Sequence, residues 1–171
     1  MNAPGTLLAT ALACSLSVFL AACGGTYEPA TLSANTPDGN RTVGCLDVAV
    51  DGHSDPQAAG PVAKITVGNR CNTAVVVDYR AIRATVRYRD GHIGRSEVYD
   101  PNYSLRPVTL DARRQGWEAF EYHPTRVSEH SRVPETLCLD LAGLDRDQPA
   151  LQPVEACVSV DAKVFDLEEV I

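Results

Sequence analysis

The stretch "AIRATVRYRD", residues 81 to 90, puts Arg83, Thr85, Arg87 and Arg89 on one side of an extended chain. Ile82, Ala84, Val86 and Tyr88 fall on the other, because successive strand side chains point to opposite faces. A row of guanidiniums is suited to docking an anion through paired N–H donors. With Arg80 and Arg95 added, five of the fifteen Lys and Arg lie within sixteen positions of a chain whose net charge is -7, an asymmetry able to orient a partner. The same face answers a plainer need, since a strand buried on one side must be polar on the other. The preferred reading is a solvated sheet face with Glu118, Glu121 and Asp140 as cross-strand ion partners. A recognition surface is the alternative.

Other residue sets capable of chemistry are weaker. Gly94-Arg95-Ser96-Glu97-Val98 approaches a G-x-S-x-G nucleophile elbow but lacks the last glycine and the strand-to-helix context. His53, His92, His123 and His130 lie in or near turns and form no H-E-x-x-H; His123 and His130 are placed to approach each other across a loop. "DGHSD" and "YDPN", the latter with Asp100, offer oxygens to calcium but lack the full loop pattern. No catalytic residue, metal site or cofactor is expected, and an enzyme would need a site built from loops such as 90–105. The acidic net charge argues against nucleic acid.

Of six cysteines, four fall in the part that reads as folded: Cys45, Cys71, Cys138 and Cys157. None has C-x2-C spacing, so two disulfides are preferred to zinc. In "TLCLDL" the leucines share one face and Cys138 the other; in "ACVSVDA" Cys157 likewise points away from Ala156, Val158 and Val160. Pairing Cys138 with Cys157 across a hairpin leaves Cys45, before one strand, to meet Cys71, after the next. The rival, Cys71 with Cys138, has a separation resembling the inter-sheet bridge of immunoglobulin domains. The tryptophan and tyrosine of those domains are missing here: Trp117 is far downstream and position 136 is Thr136.

The first residues bear on location. "TLLATALACSLSVFLAACGG" is apolar and uncharged, and from Leu7 to Ala22 it falls short of the about 20 residues of a spanning helix. Leu20-Ala21-Ala22-Cys23 followed by Gly24 resembles the lipobox of bacterial lipoproteins, although "MNAPGT" before it carries no Lys or Arg. The resemblance implies removal of residues 1–22 with Cys14, lipidation of Cys23, and a membrane-anchored envelope protein. Gly24, not being Asp, favours the outer membrane by the same resemblance. Residues 23–44 are polar, rich in turn-formers and without period, and read as a tether with a reach of roughly 25 Å.

Residues 45–171 read as one domain. Short alternating runs, "CLDVAV", "VAKITV", "AVVVDY", "AIRATVRY", "PVTLDA", "WEAFEYH", "TLCLDL" and "CVSVDAKV", are separated by turn-rich segments. Seven or eight such strands predict an all-β antiparallel sandwich. In strand count the domain resembles the immunoglobulin-like sandwiches of bacterial envelope proteins. Gly68 and Asn69 are expected to supply left-handed turn conformations, and the tail "DLEEVI" is the one short helical candidate. The functional expectation is a lipid-anchored envelope protein with a non-catalytic binding or structural role. An envelope hydrolase and an anion-binding module at Arg83, Arg87 and Arg89 are the alternatives.

Overall fold

A computed structural model describes residues 41–53 and 57–160. The signal segment, Cys23, most of the tether, the residues from Asp161 and the tail "DLEEVI" lie outside the described residues. The strands are β1 (Arg41–Val43), β2 (Leu46–His53), β3 (Val62–Asn69), β4 (Val75–Val77) and β5 (Arg83–Tyr88). They continue with β6 (Ile93–Val98), β7 (Val108–Leu110), β8 (Gln115–Pro124), β9 (Pro134–Asp140) and β10 (Glu155–Ser159). Among the described residues the helical content is two single 3-10 turns, at Tyr79–Ala81 and Val127–Glu129.

The domain is an antiparallel β-sandwich. Eight strands run in the order β1-β2-β3-β8-β6-β5-β9-β10, and β4 pairs with β7 beside them. Strand β8 belongs to both leaves. Its first part pairs with β3, from Gln115 opposite Gly68 to Glu121 opposite Val62; its end pairs with β6, from Tyr122 opposite Val98 to Pro124 opposite Ser96. A strand that changes partner this way turns a corner between two packed sheets. The outer edges also approach: Arg41 Nε donates to the Glu155 carbonyl at 2.8 Å, and a Cβ on Gly52 would stand 2.8 Å from the Ser159 carbonyl. The sheet is thereby nearly closed, which leaves little exposed edge.

Alternation places the core. In β5 exposed and buried residues alternate without a break, so Ala84, Val86 and Tyr88 face inward with Leu137, Leu139 and Leu141 from the β9 region. Val43, Leu46, Val48, Ile65 and Val67 complete the opposite side, and Tyr122 is buried where β8 passes from one leaf to the other. Both expected disulfides are present. Cys45 and Cys71 close the paired ends of β2 and β3 with Cα atoms 5.5 Å apart. Cys138 and Cys157 are direct cross-strand partners at 4.0 Å. Each bridge lies within one leaf, unlike the inter-sheet bridge of immunoglobulin domains.

Two expectations are corrected. The folded part includes Arg41–Val43, read above as the end of the tether, because this segment adds β1 to the edge of β2. Gly68 and Asn69 are not left-handed turn residues; they finish β3, and the positive-φ positions among the described residues are Gly44, Gly91, Tyr103 and Arg113. Asn69 acts through its side chain. Fully buried, it donates Nδ2 to the carbonyls of Thr73, Leu110 and Asp111 at 2.8, 3.0 and 3.1 Å, and its Oδ1 accepts the Cys71 amide at 2.9 Å. It ties the β4–β7 pair to the main sheet, since buried backbone groups need partners.

Candidate groove site

The site starts from register. On the outer face of the second leaf, Arg83 on β5 stands opposite Asp140 on β9, and Asp140 opposite Glu155 on β10. On the other side, Glu97 on β6 stands opposite His123 on β8, one position beyond the last β5–β6 pair on that side, Ala84 with Ser96. The next row runs Arg95, Thr85, Cys138, Cys157. Arg83 and Arg95 are therefore diagonal neighbours on adjacent strands, within reach of one ligand group.

Apart from Cys157, these rows line an open groove of about 940 Å³, bounded on one side by Tyr99, Pro101, Tyr103 and Leu105, at the upper end of the usual size of ligand sites. The loop from Asp100 is built stiffly. Asp100 accepts the Ser104 amide, the Ser104 hydroxyl and the Leu105 amide at 2.9, 3.0 and 2.8 Å, and these donors, with Arg106 nearby, hold its carboxyl below the ordinary aspartate value. Arg106 donates to the Tyr103 and Leu105 carbonyls. This brace keeps Tyr103 at φ 51°, a strained conformation for a bulky residue, with 82% of its surface exposed. Tyr99 is fixed from beneath by stacking on His123, and His123 Nε2 meets Glu121 Oε1 at 2.6 Å.

Some charges in the groove have structural work. Arg80 is clamped to Asp78 at 2.8 Å, and this guanidinium lowers the Asp78 pKa. Asp140 accepts the amides of Ala142 and Val154. Arg83, Arg95, Glu97 and Glu155 differ: among the described residues no ion pair or side-chain hydrogen bond holds them. Ser96, 4% exposed, also lines the groove, and its Oγ has no partner among the described residues.

The predicted site residues are thus divided. Arg83 and Arg87 are exposed on one face of β5, as alternation requires, and Arg89 is exposed in the turn beyond its end, after a register shift at Arg87 and Tyr88; only Arg83 lines the groove. The expected ion partners do not serve. Glu118 and Glu121 sit on the part of β8 that pairs with β3, and Glu121 is engaged by the Ala59 and Gly60 amides and His123. Asp140 is in register with Arg83 yet turns its oxygen to backbone amides. His123 and His130 are not paired: His130 Nδ1 meets the Val127 carbonyl at 3.1 Å. Gly94 and Ser96 lie in β6 rather than on a nucleophile elbow. Sequence reading missed Tyr99, Tyr103, His123 and Glu155 as a group; the signal available was the Asp100 to Ser104 spacing of a side-chain-capped turn.

Cys138, Cys157 and Glu155 bring possible metal-ligating atoms within 4.8 Å. The two sulfurs are bonded to each other, and a disulfide sulfur is not the thiolate that zinc requires.

No known protein family matches the chain, and no curated protein does. Among solved structures, the crystal structure of the yjhA protein from Bacillus subtilis is similar at 12% identity and a TM-score of 0.41, covering 74% of this chain and 99% of that one. A likeness this distant carries no argument about role.

Proposed function

We propose that this chain is a lipid-anchored bacterial envelope protein, held by Cys23, whose sandwich is a non-catalytic binding module using the groove between β5, β6 and the loop 99–105. The observation that carries the reading is the pairing of a stiffened aromatic rim with the uncommitted side chains of Arg83, Arg95 and Glu97 on a disulfide-braced sheet. The braced rim loses little entropy when a partner arrives, and the uncommitted charges need break no existing ion pair to meet it. The lipobox and the two disulfides support export to an oxidising compartment.

Binding is favoured over hydrolysis because the one imidazole lining the groove is held by Glu121 and Tyr99, while Ser96 Oγ is buried with no hydrogen-bond partner among the described residues to activate it. An anion site spanning Arg83, Arg87 and Arg89 is the weaker reading, since Arg87 and Arg89 lie outside the groove and carboxylates flank Arg83.

The test uses the full chain in its own membrane. Labelled fatty acid should be incorporated by the native chain and not by Cys23→Ala. Crosslinking should capture an envelope component that is lost with Arg83→Ser and Arg95→Ser and kept with Arg87→Ser and Arg89→Ser. Equal capture by both pairs of variants sinks the groove reading.

A further inference from the structure

Resting on the groove as the binding site, we infer that its ligand is a short peptide with free termini, lying across the strands with its carboxylate at Arg83 and Arg95 and its ammonium at Glu155. The groove has a net positive end, where Arg83 and Arg95 outnumber Glu97, and a net negative end at Asp140 and Glu155. At the β5–β6 end two guanidiniums stand diagonally, with no partner among the described residues. At the β9–β10 end Asp140 and Glu155 stand directly opposite each other. Like charges in that position destabilise a strand pair; Arg83 flanks Asp140 on its other side and Arg41 reaches the Glu155 carbonyl, and a ligand cation at the Glu155 carboxylate would relieve the remaining repulsion. A pure anion would gain at one end and lose at the other; a dipolar ligand gains at both.

Spacing sets the length. Neighbouring strands are about 4.8 Å apart, so Glu155 is two steps, about 10 Å, from Arg83 and three steps, about 14 Å, from Arg95. An extended peptide covers at most about 3.5 Å per residue, which makes about three to four residues the matching span. The rim of Tyr99, Tyr103 and Leu105 lies at the guanidinium end, because Tyr99 stacks on His123 and His123 is the cross-strand partner of Glu97. The last side chain of the peptide is therefore aromatic or apolar. Glu97 lies at this same end, and its charge opposes the bound carboxylate.

The probe is the tripeptide glycyl-glycyl-phenylalanine, titrated by calorimetry against the full chain in detergent. C-terminal amidation and N-terminal acetylation should each weaken binding about tenfold. Arg83→Gln with Arg95→Gln should remove the sensitivity to amidation while keeping that to acetylation; Glu155→Gln should do the reverse. Glu97→Gln should tighten binding, because it removes the charge that opposes the bound carboxylate. All four positions are exposed, and an unchanged melting curve confirms that each variant is folded. Capped peptides binding as tightly as the free one, free phenylalanine binding as tightly as the tripeptide, or no binding of the tripeptide would each overturn the inference. If peptides fail while crosslinked capture still depends on Arg83 and Arg95, the ligand class is wrong and the groove reading stands; if both fail, both fall.

Discussion

Tyr99 lies flat against His123, with ring centroids 4.2 Å apart and planes 12° from parallel. His123 meets Glu121, and the same carboxylate oxygen accepts the Ala59 and Gly60 amides at 2.7 and 2.9 Å. An aromatic wall of the groove is thus fastened, through one carboxylate, to the loop that leads into β3.

That chain of contacts predicts the effect of His123→Ala. The aromatic pair contributes about 0.5 to 1.5 kcal/mol and the hydrogen bond to the Glu121 carboxylate up to about 3 kcal/mol, so stability should fall by about 1 to 4 kcal/mol in a denaturant titration. Capture of the groove partner should fall more sharply, because Tyr99 loses its support. Unchanged capture would mean that Tyr99 is not part of the binding surface.

A second prediction concerns Gly94 on β6. A Cβ there would stand 2.4 Å from Glu129 Oε2, and Glu129 is 2% exposed and held by His92 at 3.0 Å. Gly94→Ala should destabilise by about 1 to 3 kcal/mol through overpacking. In a double-mutant cycle, Gly94→Ala should cost less in a Glu129→Ala background. Strict additivity would place the Gly94 requirement elsewhere.

Asp100 governs the rim loop. Asp100→Ala removes acceptors from Ser104 and Leu105, so their amides should exchange with solvent faster while β5 and β9 amides stay protected. The pH dependence has a definite sign. Because the folded-state pKa is lowered, the carboxylate's contribution is present above the ordinary aspartate value of about 3.9 and is lost as pH falls through the lower folded value. Loop opening, followed by proton NMR of Tyr103, should appear below about pH 4 and be absent from neutral solution.

The disulfides give a fourth prediction. Digestion without reductant should yield Cys45 linked to Cys71 and Cys138 linked to Cys157, with sequence separations of 26 and 19. Loops of this length correspond to about 3 kcal/mol each in the chain-entropy description, so reduction should lower the melting temperature markedly. A Cys71 to Cys138 peptide would contradict the topology, since β3 and β9 belong to different leaves.

Legibility varied with the local pattern. β5 declared both faces, and its arginines are exposed as alternation required. The cysteine pairs followed from the same logic, since Cys138 points away from Leu137 and Leu139. β6 was hidden: its inward positions are Gly94, Ser96 and Val98, and two of these carry no hydrophobic signal, so it was read as part of a loop. Gly94 is small because Glu129 comes to it from another segment, which no local window contains. Asn69 was misread for a related reason, as its carbonyl partners at Leu110 and Asp111 come from far along the chain.

The sequence by itself determined which residues face inward on most strands, and hence an antiparallel sandwich and its disulfides, because alternation is a property of neighbours along the chain. Only the tertiary structure decided which charges meet. β8 leaves β3 after Glu121 and joins β6 at Tyr122; this change of partner keeps Glu118 and Glu121 on one leaf and brings His123 to the groove on the other. Register between distant strands depends on the closure of the whole sheet, and it alone separates Arg83 from Arg87 and sets Glu155 across from Asp140.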